Sequence, residues 1–281
     1  MPEPGTVAAV PLHASSPYEL RVDLGRDVPE TDVRAALRTG DMGFLHSFTT
    51  GSTVDGPGVR VVAWTSGCMW RCVYCHNPDT WTMSNGIPVS VPRAVEELRK
   101  YQHGLKTMGG GFTLSGGEAL MQHRFAVKLL TAAHDMGIHT ALDTNGYYGD
   151  KVSDAELEAI SLVLLDFKAW DPARHKRLTG MEVGPTKEFA QRLAARRRPV
   201  WLRYVLVPGL SDDPEDIKQI AAFAAGLGNV ERVDVLPFHQ MGRFKWERLG
   251  LKYSLQDTSS PSAELVANTV AIYRSEGLRA F

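Results

Sequence analysis

The stretch Val59-Arg60-Val61-Val62-Ala63-Trp64-Thr65-Ser66-Gly67-Cys68-Met69-Trp70-Arg71-Cys72-Val73-Tyr74-Cys75-His76 decides how the chain is read. Its opening residues, through Thr65, have the length and β-branched content of a buried strand. The cysteines therefore fall on a loop at that strand's C-terminal end. This loop carries all three cysteines of the 281-residue protein, spaced C-x3-C-x2-C. Three thiolates on one short loop can hold three corners of an iron–sulfur cube and leave the fourth iron without a protein ligand. A Cys3His zinc site completed by His76 is the competing metal reading. It fits less well, because His76 directly follows Cys75 and structural zinc sites usually draw on two separated ligand pairs. A disulfide framework also fits poorly, since the count is odd and the chain is large.

Downstream, strand-like runs at 112–115, 140–143, 162–167, 201–207 and 230–236 alternate with helical spacing at 92–101, 124–136, 154–160, 186–197 and 214–227. With the first strand this makes six β/α units, which implies a parallel sheet with right-handed crossovers. Six units are too few to close an eight-stranded barrel, so the predicted fold class is α/β, an open partial (β/α)6 barrel. In such sheets ligands bind at the carboxyl ends of the strands. Polar residues collect at those ends here: Ser115-Gly116-Gly117-Glu118, Asp143-Thr144-Asn145-Gly146, Asp166-Phe167-Lys168 and Pro237-Phe238-His239, with Arg203 inside the fifth run. Asp55-Gly56-Pro57-Gly58, just ahead of the first strand, reads as a turn, with a plain hairpin connector as its simplest account. Taken alone, Asp143 reads equally as a strand-end turn acid, and Lys168 as an ion-pair partner of Asp166.

Composition bounds the partners. With 43% hydrophobic and 22% charged residues the chain has the make-up of a soluble globular protein, and its formal charge of −1 gives no basic field for nucleic acid. No apolar run approaches the roughly 20 residues that cross a bilayer. The N-terminus shows no basic-then-apolar secretory pattern, and reducible cysteines point to the cytoplasm. Residues 1–41, rich in Pro, Ala, Glu and Asp, read as a partly disordered N-terminal extension with one or two helical turns at 31–37, capped by Thr31. Residues 42–281 read as the core domain.

The cysteine spacing, the aromatic between the last two cysteines, and the Ser115-Gly116-Gly117-Glu118 run resemble the cluster loop and GGE motif of the radical S-adenosylmethionine (SAM) enzymes. From about Gly43 to Phe281 the chain further resembles the glycyl radical enzyme activases of the pyruvate formate-lyase type. The matching pieces include Thr53-Val54-Asp55-Gly56-Pro57-Gly58, Arg71-Cys72-Val73-Tyr74-Cys75-His76-Asn77 and Asp79-Thr80-Trp81. Further on come Leu142-Asp143-Thr144-Asn145-Gly146, Leu165-Asp166-Phe167-Lys168, Val207-Pro208-Gly209, Leu236-Pro237-Phe238-His239 and Lys245-Trp246. Activases of other glycyl radical enzymes often carry a cysteine-rich ferredoxin-like insert. The interval from Cys75 to Ser115 holds none.

The resemblance implies an open partial barrel of the radical SAM type, in which Cys68, Cys72 and Cys75 hold a [4Fe-4S] cluster and SAM chelates the open iron. It implies that Tyr74, His76, Gly116, Gly117, Glu118, Asp166, Phe167, Lys168, Arg203 and His239 surround SAM. Lys168 joins the cysteines as a catalytic residue, and the glycine backbone and Glu118 meet the SAM ammonium. Asp143, Thr144 and Asp166 would hold a monovalent cation, Na+ or K+, and Asp55, Gly56, Pro57 and Gly58 would lie beside a partner peptide. The implied activity is anaerobic. Reduced flavodoxin or ferredoxin supplies an electron, SAM is cleaved reductively to a 5′-deoxyadenosyl radical, and a hydrogen atom leaves a backbone glycine of pyruvate formate-lyase. The expected protein is a cytoplasmic monomer with no nucleic-acid or membrane partner.

Overall fold

The computed structural model describes residues 33–281. Residues 1–32, with most of the predicted extension and its Thr31 cap, lie outside the described residues. The described end of the extension packs on the domain. Helix α1 (Val33–Thr39) is followed by Asp41, which pairs with Lys128 at 2.5 Å, and the Arg38 carbonyl accepts from Arg124 at 2.5 Å.

Strand β1 (Met42–Ser52) runs antiparallel to β2 (Arg60–Thr65), with Ser52 opposite Arg60, so the Asp55 turn is the connector of a hairpin. Strand β3 (Ile87–Ser90) pairs antiparallel on the far side of β1. From β2 the sheet continues in parallel through β4 (Gly111–Gly116), β5 (His139–Thr144), β6 (Leu162–Asp166), β7 (Val200–Leu206) and β8 (Val230–Pro237). The crossovers carry α2 (Val91–Arg99) and α3 (Gln102–Thr107), α4 (His123–Asp135), α5 (Asp154–Leu157), α6 (Pro172–Thr179) with α7 (Gly184–Ala195), and α8 (Pro214–Leu227). Two more, α9 (Arg243–Arg248) and α10 (Ala263–Ser275), follow the last strand. The single sheet runs in the order β3-β1-β2-β4-β5-β6-β7-β8, with β3 and β8 as its two edges. It is the predicted open partial barrel of six parallel strands, lengthened by an antiparallel pair that sequence periodicity did not indicate.

Local chemistry starts the helices where they are needed. Ser90, Ser153, Asp171 and Asp213 each accept a backbone N–H of the first turn, and a proline at the first turn accompanies the caps of α2, α6 and α8. The period-two pattern of the strands then divides polar from apolar faces. In β7, Leu202, Tyr204 and Leu206 are buried against Ile217, Ile220, Ala224, Val270 and Tyr273 of α8 and α10. Trp201 and Arg203 occupy the alternate face, inside the barrel. There Trp201 packs with Ala141, Leu162 and Leu164. One pleat further along, toward the carboxyl ends, the same parity presents Asp143, Asp166 and Arg203. At the opposite end the fully buried Arg60 donates to Thr113 Oγ1 and to the carbonyls of Phe112, His139 and Pro57. Burial lowers its pKa to about 10 against the pull of Asp55. That guanidinium ties the Asp55 turn to the base of β4 and β5.

Candidate active site

The cysteine loop leaves β2 at its carboxyl end and is pinned from three sides. The amides of Gly67 and Cys68 donate to the carbonyls of Thr80 and Trp81, at 2.7 and 3.1 Å. Those of Arg71 and Val73 donate to Thr179 and Leu178 at the end of α6, at 2.7 and 3.0 Å. From the third side, Trp246 Nε1 of α9 donates to the Cys75 carbonyl at 2.8 Å. None of the cysteines is in a disulfide. Burial, then the charge of Cys72, pushes the Cys68 thiol far up. Burial likewise raises Cys72 to about 12, with Lys168 pulling it back and Cys75 adding to the rise, and it raises Cys75 as well. Thiols that repel one another's charge this way keep their protons unless metal replaces them. Among the described residues no three His, Cys, Asp or Glu side chains close around one point as a single ion would need. Three thiols drawn from one short loop suit one corner each of a cluster, whereas structural zinc sites draw on separated ligand pairs, so the donor set fits a cluster better than one zinc ion.

The Ser115-Gly116-Gly117-Glu118 turn lies against this loop. Gly117 N donates to Thr65 O, and Glu118 N to Gly67 O at 2.8 Å. A Cβ on Gly117 would sit 2.5 Å from Gly67 O, and Gly116 adopts φ +129° with Thr65 backbone atoms pressed on it. Both glycines are therefore required by backbone-to-backbone contact alone. Glu118 is buried, and its oxygens accept from Leu120 N, Thr144 Oγ1 and Asn145 N at 2.6–2.8 Å. Burial raises its carboxyl to about 7 while these donors hold it down. The side chain thus braces the end of β4 to the end of β5.

Deeper in the barrel, Asp143 accepts from Ser115 Oγ at 2.6 Å and from Arg203 at 3.1 Å. Burial raises the Asp143 carboxyl, Arg203 lowers it, and Asp166 raises it again, which marks the two acids as neighbours. Asp166 pairs with Lys168 at 3.0 Å. Burial opposes the charge on Lys168, yet Asp166 and Cys72 together keep its pKa above the usual lysine value. Its ammonium lies 5.7 Å from the Tyr74 ring, and the buried Tyr74 hydroxyl has no hydrogen-bond partner among the described residues. His76 and His239 approach with ring centroids 4.2 Å apart, and burial followed by His239 lowers His76 to about 4, so it is neutral.

The structure thus brings the three cysteines, Tyr74, Lys168 and Asp166 into one neighbourhood, with His76 beside His239 on the flank. Asp143 and Arg203 are joined to it through Asp166. Phe167 is turned the other way. Its ring is fully buried in the outer core with Trp170 and Phe223, so only its backbone, which binds the Arg203 carbonyl, lines the barrel. Thr144 is committed to Glu118. Asp55 is also largely enclosed, at 6% exposure, accepting from Ser52 Oγ at 2.5 Å while its carbonyl accepts from Thr113 Oγ1. Gly56, at φ +125°, stands over the Arg60 guanidinium, whose group also holds the Pro57 carbonyl. Gly58, at φ +69°, presses on the Gly109 carbonyl. Sequence reasoning missed Ser115 as a partner of Asp143, although its place one residue before the glycine pair, on the parity of the inward face, was a usable signal.

Residues 62–224 match the family described as the Radical SAM superfamily. The chain is 41% identical over 238 residues to the pyruvate formate-lyase 1-activating enzyme of Escherichia coli (strain K12), covering 84% of this chain and 97% of that protein. It is 43% identical over 231 residues to the pyruvate formate-lyase-activating enzyme of Staphylococcus aureus (strain USA300), covering 80% and 92%. Among solved structures, a domain of a pyruvate-formate lyase-activating enzyme from Bacteroides vulgatus superposes with a TM-score of 0.52 at 27% identity, over 62% of this chain and 98% of that one. A radical SAM methyltransferase from Sphaerobacter thermophilus shares the fold, with a TM-score of 0.59 at 17% identity over 90% of this chain and 81% of that one. The chain belongs to the radical SAM superfamily and, within it, to the pyruvate formate-lyase-activating enzymes.

Proposed function

We infer that this protein activates pyruvate formate-lyase by generating a glycyl radical on it. The observation that carries the reading is the three-cysteine loop at the carboxyl end of β2, inside a chain alike over nearly its whole barrel to activating enzymes. When bound, the [4Fe-4S] cluster and SAM supply one-electron cleavage of the sulfonium and a 5′-deoxyadenosyl radical, which takes a hydrogen atom from one backbone glycine of the partner. The chain's own residues hold and orient. Cys68, Cys72 and Cys75 carry the cluster, and the backbone of Gly116 and Gly117 brings the β4 turn against it. Tyr74, His76, Lys168, Arg203 and His239, with Asp166 and the Phe167 backbone, enclose the SAM pocket and exclude water from it. Residues 42–281 form the catalytic unit, which works in the cytoplasm as a monomer with reduced flavodoxin or ferredoxin as its electron donor. The test is to incubate the anaerobically reduced protein with SAM and pyruvate formate-lyase and look for the glycyl doublet by electron paramagnetic resonance (EPR). Cleavage of SAM without a protein-centred radical would exclude this partner.

A monovalent cation held by Asp143, Asp166 and Thr144 is supported by the neighbouring charge of Asp166, which raises the Asp143 carboxyl; Thr144 would join the set while its hydroxyl still donates to Glu118. The ion would take over part of the role Arg203 plays for Asp143. SAM affinity should then rise with Na+ or K+, and Asp143→Ala should remove that dependence. Isothermal titration in sodium, potassium and a bulky organic-cation buffer measures it. Equal affinity in all three buffers for the wild type removes the cation from the site.

The Asp55 turn is the proposed seat of the partner peptide. Replacing Asp55 with alanine removes an acceptor whose charge-assisted hydrogen bond contributes roughly 1.5–3 kcal/mol. Radical yield on a short glycine-containing peptide should fall about tenfold or more at low peptide concentration, since 1.4 kcal/mol is a factor of ten. SAM affinity should hold. Loss of SAM binding with peptide binding intact would instead make Asp55 a cofactor residue.

A further inference from the structure

The segment from His239 to Tyr253, with α9 at its centre, is the protein layer outside the Cys75 side of the cluster loop. Gly242 packs directly on His76, where a Cβ would lie 2.7 Å from His76 Cα. Trp246, only 7% exposed, donates to the Cys75 carbonyl and meets Trp81 edge-on at 5.1 Å. Lys245 holds the segment down by reaching Asn77 and Asp79, at 2.8 and 3.1 Å. Beneath it are Cys75 and His76, and above it is solvent.

Its outer surface has two unusual properties. Of the six large apolar side chains exposed among the described residues, three belong to this segment: Met241 at 76%, Phe244 at 55% and Leu251 at 37%. Around them stand Arg243, Arg248 and Lys252, all exposed, against one exposed acid between residues 239 and 253, Glu247, which pairs with Arg243 at 2.7 Å. Such a balance departs from a chain whose overall charge is −1. The patch continues sideways, because Arg71 stacks on the Trp81 ring at 4.8 Å and is itself exposed. A small apolar centre inside a basic rim suits a transient, electrostatically steered encounter rather than a permanent interface.

We propose that this face of α9 is the docking surface for a small acidic electron-carrier protein, which delivers its electron through Trp246 to the cluster side of Cys75. The proposal rests on the glycyl radical activase reading and names a partner surface for it. At each encounter the carrier is oxidised by one electron and the cluster is reduced by one, and no atom crosses the interface. The surface also leaves the substrate's route free, since the Asp55 turn enters the barrel from the other end of β2.

Reduced flavodoxin is the probe, with the cluster-loaded enzyme. The double variant Arg248→Glu with Lys252→Glu is expected to weaken flavodoxin binding, followed by titration at low ionic strength, by about tenfold or more, as reversed charges do in steered complexes. Flavodoxin-driven cluster reduction should slow in parallel and lose most of its dependence on salt. Phe244→Ser should weaken binding in the same titration, and Arg248→Lys with Lys252→Arg should keep it. Dithionite-driven reduction and glycyl radical yield should match wild type in every variant, which also shows that the variants fold. Unchanged flavodoxin affinity in the double variant overturns the proposal. A loss of radical yield that is equally large with dithionite also overturns it, by assigning the face to pyruvate formate-lyase. A wild-type enzyme that yields no glycyl radical with dithionite contradicts the activase reading instead, while the binding titration still judges the surface.

Discussion

Cys72→Ser is expected to abolish SAM cleavage and leave the chain folded. A serine hydroxyl does not ionise near neutral pH, so it cannot replace a thiolate proposed to hold one corner of the cluster. On the proposed three-cysteine assignment, loss of one ligand should be complete in effect, with no 5′-deoxyadenosine above background and iron and sulfide contents well below wild type. Stability should scarcely move. Cys72 is partly exposed and packs at the edge of a small cluster with Tyr74, Phe238 and Trp246, away from the two large cores. The loop is fastened by backbone bonds at Arg71 and Val73 that the substitution does not touch. Thermal unfolding of the cluster-free variant and cluster-free wild type should therefore differ by no more than roughly 1 kcal/mol, as for substitutions away from packed cores. Cys75→Ser should behave alike. Cys68→Ser should lose activity equally and cost more stability, because Cys68 is the buried member of the three. A Cys72→Ser protein that cleaves SAM at the wild-type rate would rule out the open-cluster site.

The parallel half of the fold was legible because each β/α unit is written locally. An apolar strand ends in a polar turn, and a proline or a cap then opens the helix, as Asp213-Pro214 does for α8. Strand β1 was not legible. Its run Gly43-Phe44-Leu45-His46-Ser47-Phe48-Thr49-Thr50 mixes apolar and polar residues without a clean alternation. What makes it a strand is long-range pairing with β2 and β3. Helix α6 was hidden by its composition, since Pro-Ala-Arg-His-Lys-Arg-Leu-Thr buries only His175, Leu178 and Thr179. The site shows the same division. Motifs at strand ends could be found because the parallel topology sends every strand end to one rim. Side-chain direction could not, because one residue of phase decides it. Asp166 and Phe167 are neighbours in one motif, yet Asp166 faces the barrel and Phe167 fills the outer core. Nor could sequence show that the acid of the glycine–glycine–glutamate motif would find its donors on the next strand.

That acid gives the second large effect. Glu118→Ala is expected to destabilise the protein and dismantle the rim rather than remove a single ligand contact. The carboxylate takes Leu120 N within its own turn, and Thr144 Oγ1 and Asn145 N across the gap to β5. Alanine leaves three donors at a position only 1% exposed, where water has little access. Each buried donor left without an acceptor costs about 1–3 kcal/mol, so a total loss of roughly 3 kcal/mol or more is expected. The Glu118 amide bond to Gly67 would also lose its fixed geometry, and with it the seating of Gly117 on the cluster loop. SAM affinity should therefore fall together with the thermal midpoint. Glu118→Gln separates bracing from direct contact. The amide keeps one oxygen for Thr144 and Leu120 but turns an NH2 toward the Asn145 amide, exchanging one hydrogen bond for a donor–donor clash. A brace predicts that the glutamine variant loses stability and SAM affinity in proportion, each by less than alanine does. A carboxylate that met the SAM ammonium directly would show the opposite division, with SAM affinity falling sharply in Glu118→Gln and the melting temperature unmoved. Differential scanning calorimetry of the SAM-free proteins, paired with SAM titration of the cluster-loaded ones, distinguishes the two.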